Sequence, residues 1–206
     1  MRANIPLQFS VLIAAFAIAI PTSTAQSQST ASLKPAASFA SIADSRERAL
    51  ALFAEAGKVI QHPRCVNCHP RADRPLQGDA MRVHIPPVTR GKDGHGGVAM
   101  ECKSCHAAKN FDATPMLAVP GHERWHLAPI EMAWEGRSLG EICVQIKDRA
   151  RNGNKSLAEI VEHMASDSLV GWGWNPGNGR TAAPGTQREF GEIIKAWASA
   201  GAHCPA

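Results

Sequence analysis

Two pentapeptides carry the chemistry. Cys65-Val66-Asn67-Cys68-His69 and Cys102-Lys103-Ser104-Cys105-His106 both read C-x-x-C-H. Cysteines three apart on a helical turn reach the two vinyl groups of one porphyrin as thioethers, and the next residue, histidine, projects toward the iron from the same side. The spacing is the attachment signature of c-type haem. It assigns Cys65, Cys68, Cys102 and Cys105 to thioether bonds and His69 and His106 to the proximal faces of two irons. Chance alone predicts on the order of 0.007 such pentapeptides in a chain of this composition. Two C-x-x-C pairs also suit tetrahedral zinc, but that reading leaves both histidines without a role and sits badly in an exported protein. A thioredoxin-like redox pair wants a βαβ pattern, which neither motif has. Two local disulfides ignore the histidines as well.

Each iron needs a sixth ligand unless it is a reaction site. The candidates are His62, His84, His95, His122, His126 and His163, with Met81, Met100, Met116, Met132 and Met164. His62 stands three residues before Cys65, too near its own haem to reach the far face. His84 lies between the motifs, where a loop can fold back over a haem. His126 sits between Trp125 and Leu127, an apolar setting suited to a haem face. His84 and His126 are the expected distal ligands, with His163 in reserve. His122-Glu123-Arg124-Trp125-His126 also matches the H-E-x-x-H zinc helix, yet Pro120-Gly121 before it and Pro129 after it leave little room for a helix. The remaining cysteines, Cys143 and Cys204, most simply form a disulfide in an oxidising compartment. Arg71, Arg74, Arg82, Arg90 and Lys92 crowd the first motif and suit propionates or an acidic redox partner. Trp172, Trp174 and Trp197 suit a haem edge or packing beneath the Pro/Gly loop at 175–185.

The elements that must hold these residues read as helices. Residues 1–25 have the form of a secretory signal: Arg2, an apolar run from Val11 to Ile20, and small residues around Ala25 for cleavage. Export to the periplasm follows, and the run is too short to leave a transmembrane anchor. Residues 26–42 are rich in Ser and Ala and read as a flexible leader with no core to join. Four amphipathic helices follow by period within 43–206, expected as a single domain. They begin at Asp44, Ser138, Ser156 and Thr186, each with Glu three residues on as a capping box. The second is expected to stop near Asn152-Gly153. No segment alternates cleanly enough for a strand. Residues 61–100 hold five Pro and five Gly and few apolar residues, so they either stay irregular or wrap a large apolar ligand. The fold class expected is mainly α with long irregular loops.

Composition bounds the rest. The 206 residues carry a formal charge of +4, spread along the chain, which argues against a dedicated nucleic-acid binder. Removing Arg2 and adding four propionates brings the balance close to zero. Aromatic residues are scarce and tyrosine is absent, so something else can fill part of the interior.

In its two attachment motifs the chain resembles the dihaem c-type cytochromes. Cys65 and Cys102 lie 37 residues apart, about half of what a conventional single-haem domain needs. The spacing is similar to that of multihaem cytochromes, whose close haems form much of the core. More loosely, Trp125-His126-Leu127-Ala128-Pro129, Gly140-Glu141-Ile142-Cys143 and Val170-Gly171-Trp172-Gly173-Trp174 resemble small cytochrome subunits found with isoquinoline 1-oxidoreductase-type molybdenum hydroxylases. The resemblance implies two covalently bound haem c groups and a carrier passing single electrons between redox partners. The partner it suggests is a molybdenum hydroxylase or a membrane electron-transfer complex. A carrier needs no bond chemistry of its own. The competing expectation is a haem c enzyme with an open iron site, reducing peroxide or a nitrogen oxide. Dihaem peroxidases are considerably longer, and the C-x-x-C-K form associated with nitrite-reducing multihaem enzymes is missing.

Overall fold

The computed structural model describes residues 1, 32–114 and 117–206. The expected signal segment and its cleavage point lie outside the described residues, Met1 apart, as does Met116. Six α-helices are described: α1 Ser45–Ile60, α2 Pro63–Val66, α3 Leu139–Lys147, α4 Leu157–Ser166, α5 Ser168–Gly171 and α6 Gln187–Ser199. Their starts follow from side-chain chemistry. Ser138, Ser156 and Thr186 each accept the N–H of the glutamate three residues on, which returns its carboxylate to the cap N–H. Asp44 accepts the Glu47 N–H and so provides one half of the same box for α1. Among the described residues no helix is long and apolar enough to cross a membrane.

One core joins the longer helices. α6 packs against α1 and α4. Leu52, Phe53 and Ile60 of α1 meet Ile142 and Ile146 of α3, Ile160 of α4, and Ile193, Ile194 and Trp197 of α6. The rings of Phe53 and Trp197 lie 4.9 Å apart. Cys143 and Cys204 form a disulfide across a separation of 61 residues, tying α3 to the tail after α6. Closing a loop of that length contributes about 4 kcal/mol in the chain-entropy model.

Three expectations are corrected. The second helix ends at Lys147, with Asp148 as its cap, not at Asn152-Gly153. The Asp148 carboxylate accepts the Ala150 N–H and turns the chain, while Asn152 Nδ2 donates to the Ile146 carbonyl that the helix leaves open. Residues 33–42 do join the core. Leu33 and Phe39 are buried, a 3₁₀ turn runs over Ala36–Phe39, and the Lys34 N–H donates to Glu55 Oε1 at 2.8 Å. Averaged Ser/Ala composition hid three spaced apolar residues, Leu33, Phe39 and Ile42.

The chain also contains strands. β1 Leu76–Gln77 pairs with β2 Arg82–Val83, β3 Gly96–Gly97 with β4 Met100–Glu101, and β5 Lys109–Thr114 with β6 Leu117–His122, all antiparallel. The β5–β6 ladder slips register twice, and β5 is almost wholly exposed, so no alternating apolar face marks it in sequence. Polar bonds to the 175–180 loop hold it instead. Asn110 Nδ2 donates to the Asn175 carbonyl, the Asn178 N–H to Asp112, and Arg180 to the Ala118 carbonyl.

The buried leader is testable. Phe39→Ala should cost about 3 kcal/mol in chemical denaturation, whereas a disordered leader predicts no change. The Glu55 tie adds a pH dependence. Burial raises this carboxyl, but bonds from Lys58 and the Lys34 N–H outweigh it and hold it below its ordinary value of 4.5. The tie is then fully present above that value and lost as pH falls through the lowered one. Glu55→Gln should flatten that part of the stability-against-pH curve.

Candidate functional site

Both C-x-x-C-H motifs are short helical turns, because each closes on its own backbone. The Cys68 N–H donates to the Cys65 carbonyl and the His69 N–H to Val66; the Cys105 and His106 N–H groups both donate to Cys102. Each motif opens on a cavity. Cys65, Cys68 and His69 line one of about 350 Å³, with Trp134, His163 and Met164. Cys102, Cys105 and His106 line one of about 600 Å³, with His84 and Trp125. Arg64, Cys68, His126 and Trp172 belong to both walls, so the cavities adjoin.

The two motif histidines are held by the same device. His69 donates Nδ1–H to the Met132 carbonyl at 2.7 Å, and its ring stacks on Trp134 with centroids 3.6 Å apart. His106 donates Nδ1–H to the Pro120 carbonyl at 2.7 Å and stacks on Trp125 at 4.7 Å. A carbonyl only accepts, so Nδ1 carries the proton and Nε2 keeps its lone pair. Burial pushes His69 down to about 4 and lowers His106 as well. Burial pushes the Cys65 thiol up to about 12 and Cys68 to about 11. At neutral pH these groups are therefore uncharged imidazoles and thiols.

The same test sorts the other histidines. His84 donates Nδ1–H to the Pro86 carbonyl at 3.0 Å, and His126 donates to the Arg124 carbonyl. Both keep Nε2 free. His62 and His122 do the reverse: their Nδ1 atoms accept the N–H of Arg64 and Arg124, so Nε2 is protonated. His203 Nδ1 faces Arg46. His95 is exposed and 5.0 Å from the His126 ring.

Across the larger cavity the rings of His84 and His106 are 5.9 Å apart. The rings meet edge-on, at 61° to one another, and both line the same cavity wall. On the smaller cavity His126 and His163 both share the wall with His69. His163 stands close enough for its charge to help depress His69, after burial, and its Nδ1 is 3.7 Å from Asp167. Met132 and Met164 line the same cavity; Met100 lines the larger one.

Among the described residues no three His, Cys, Asp or Glu side chains gather around one point. A bare ion needs about four protein ligands. A porphyrin brings four nitrogens of its own, so one or two imidazoles complete it. The donor set and the paired thiols fit haem. They do not fit the alternatives raised by sequence. The two C-x-x-C pairs are not gathered into one zinc site. H-E-x-x-H is not helical, since His122 ends β6 and a turn follows.

Other side chains are reassigned. Arg90 is buried and donates to the carbonyls of Pro70, Ala72 and Ala128, which removes it from any docking face. Arg71 contacts Glu135 and Arg74 the His84 carbonyl, while Arg82 lines the larger cavity. Trp197 is core, and Trp174 donates to the Pro184 carbonyl beside Phe190. Only Trp172 of the three lies on a cavity wall shared by both motifs. Sequence reasoning missed Arg64, Arg180 and the stacking role of Trp125 and Trp134. Adjacency of Arg64 to Cys65 was the one available signal.

Comparison with protein-family models, curated proteins and solved structures returned no match.

The sorting of histidines has a direct consequence for haem-loaded protein. His84→Ala should turn one iron high-spin in the oxidised absorption spectrum, whereas His62→Ala should leave both irons as they were. An unchanged spectrum in His84→Ala rejects the facing pair.

Proposed function

We propose that this chain is an exported dihaem c-type cytochrome, carrying single electrons between redox partners in the periplasm. The observation that carries the reading is a cavity against each C-x-x-C-H turn, each walled by a motif histidine whose Nε2 is free. Haem c supplies a one-electron iron couple when bound. The residues do the rest. Cys65 and Cys68, and Cys102 and Cys105, hold the two groups as thioethers. His69 and His106 are the proximal ligands, oriented by the Met132 and Pro120 carbonyls and clamped by Trp134 and Trp125. His84 takes the distal position in the larger cavity. In the smaller one His126 is the distal ligand, with His163 in reserve.

Adjoining cavities support exchange between the two groups without a long path through protein. The exposure of Cys105, against the half-buried Cys65 and Cys68, supports the second group as the one nearer solvent and the port for an external partner. A substrate-oxidising molybdenum hydroxylase or a membrane electron-transfer complex fits that role. The carrier reading needs no group poised for bond chemistry, and a second histidine, His84, on the same cavity wall as His106 supports it over an open iron site.

Expression in a haem-maturing host tests this. The mature polypeptide should be heavier by two haems and red, with both oxidised irons low-spin. A colourless product with unmodified thiols would falsify the reading, and a high-spin iron in the native protein would favour the enzyme.

A further inference from the structure

Arg64 is the one charged residue on the walls of both cavities among the described residues. It sits in α2, immediately before Cys65, and is only 4% exposed. Its Nη2 donates to Asp79 Oδ1 at 2.6 Å, and its Nε is buried without a hydrogen-bond partner. The ion pair is lopsided. The Arg64 side chain is 1% exposed and the Asp79 side chain 45%. Water therefore screens the carboxylate, which is also engaged by the Thr181 N–H and hydroxyl, while the guanidinium is enclosed beside the cavities. Arginine stays protonated, so its charge is fixed. Other cations reach one cavity only: Arg82 and Arg180 the larger, Arg124 and Lys155 the smaller.

We propose that Arg64 sets the reduction potentials of both haems together, as a positioning charge in the wall they share. This rests on the dihaem reading above. Adding one electron to each iron lowers the charge of that site by one. An enclosed cation favours the lower charge, and acts on two sites because it borders both. Asp79 opposes it weakly from the solvent side.

The test is a spectroelectrochemical titration of the intact dihaem protein, with dithionite supplying one electron per iron. Arg64→Gln should lower the equilibrium constant for reduction of both haems roughly tenfold, 59 mV for each one-electron couple. Arg64→Lys should restore most of it. Asp79→Asn should shift both haems in the opposite direction. A merely structural ion pair predicts no such opposition, because either substitution breaks the same bond. The proposal is overturned if only one haem moves, if neither moves, or if Arg64→Gln and Asp79→Asn move the same way. Should Arg64→Gln fail to mature, the sign of the Asp79→Asn shift with the Arg64→Lys values decides it. Two haems by mass with unmoved potentials sink this inference alone; a protein without them sinks the dihaem reading.

Discussion

A hydrogen-bond acceptor for the proton on one imidazole nitrogen fixes the tautomer and leaves the other nitrogen's lone pair free. That arrangement recurs in the half of the molecule that carries the two C-x-x-C-H turns. Four histidines satisfy it through backbone carbonyls, those of Met132, Pro120, Pro86 and Arg124. Backbone acceptors are neutral and firmly placed, so they orient a ring without adding charge to a buried site. The two rings that carry the motif histidines gain a second restraint from a parallel indole. Orientation is then fixed about two axes before any ligand bond is made.

One connector, residues 125–134, delivers both indoles and one of those four carbonyls. It supplies Trp125, His126, the Met132 carbonyl and Trp134. Its backbone also ties the first motif to the loop before the second: the Leu127 N–H donates to Gly94, the Ala128 N–H to Cys68 and the Trp134 N–H to His69. Gly94 is required where the strands of loop meet, because its φ is +79° and a Cβ would come within 2.5 Å of the Leu127 carbonyl oxygen. Buried Arg90 adds a side-chain staple to the same place, bridging the 70–72 turn and Ala128. A stretch with few apolar residues is thus ordered by hydrogen bonds around cavities, while the helices beside it are ordered by burial.

The division of labour has an electrostatic side. Burial keeps Cys65, Cys68 and His69 uncharged, and the charge set between the two cavities is a cation whose partner lies toward solvent. Enclosed charge acts over longer distances than exposed charge because water screens it less. Position in the wall, more than the count of basic residues along the chain, therefore decides which arginine matters. Arg71 and Lys92 lie at the surface, and Arg90 spends its donors on carbonyls.

What could be read from residue order was whatever depends on near neighbours. Helix starts were legible because a cap and its glutamate are three residues apart, and helix faces because burial repeats with the turn. The two C-x-x-C-H pentapeptides were legible as units because their residues are near neighbours on one turn of chain. The Cys143–Cys204 bond was legible too, since these were the two cysteines outside the motifs. What needed the tertiary structure were facts set by distant partners: the docking of Leu33 and Phe39, the polar anchoring of the β5–β6 hairpin, and the carbonyl that each ring nitrogen meets. The shared wall at Arg64 is of the same kind. Its role comes from two cavities closing on either side of it, and no local pattern encodes a position between two sites. Local sequence determines which groups are available for bonding; only the folded chain decides which of them face one another across a space shielded from water.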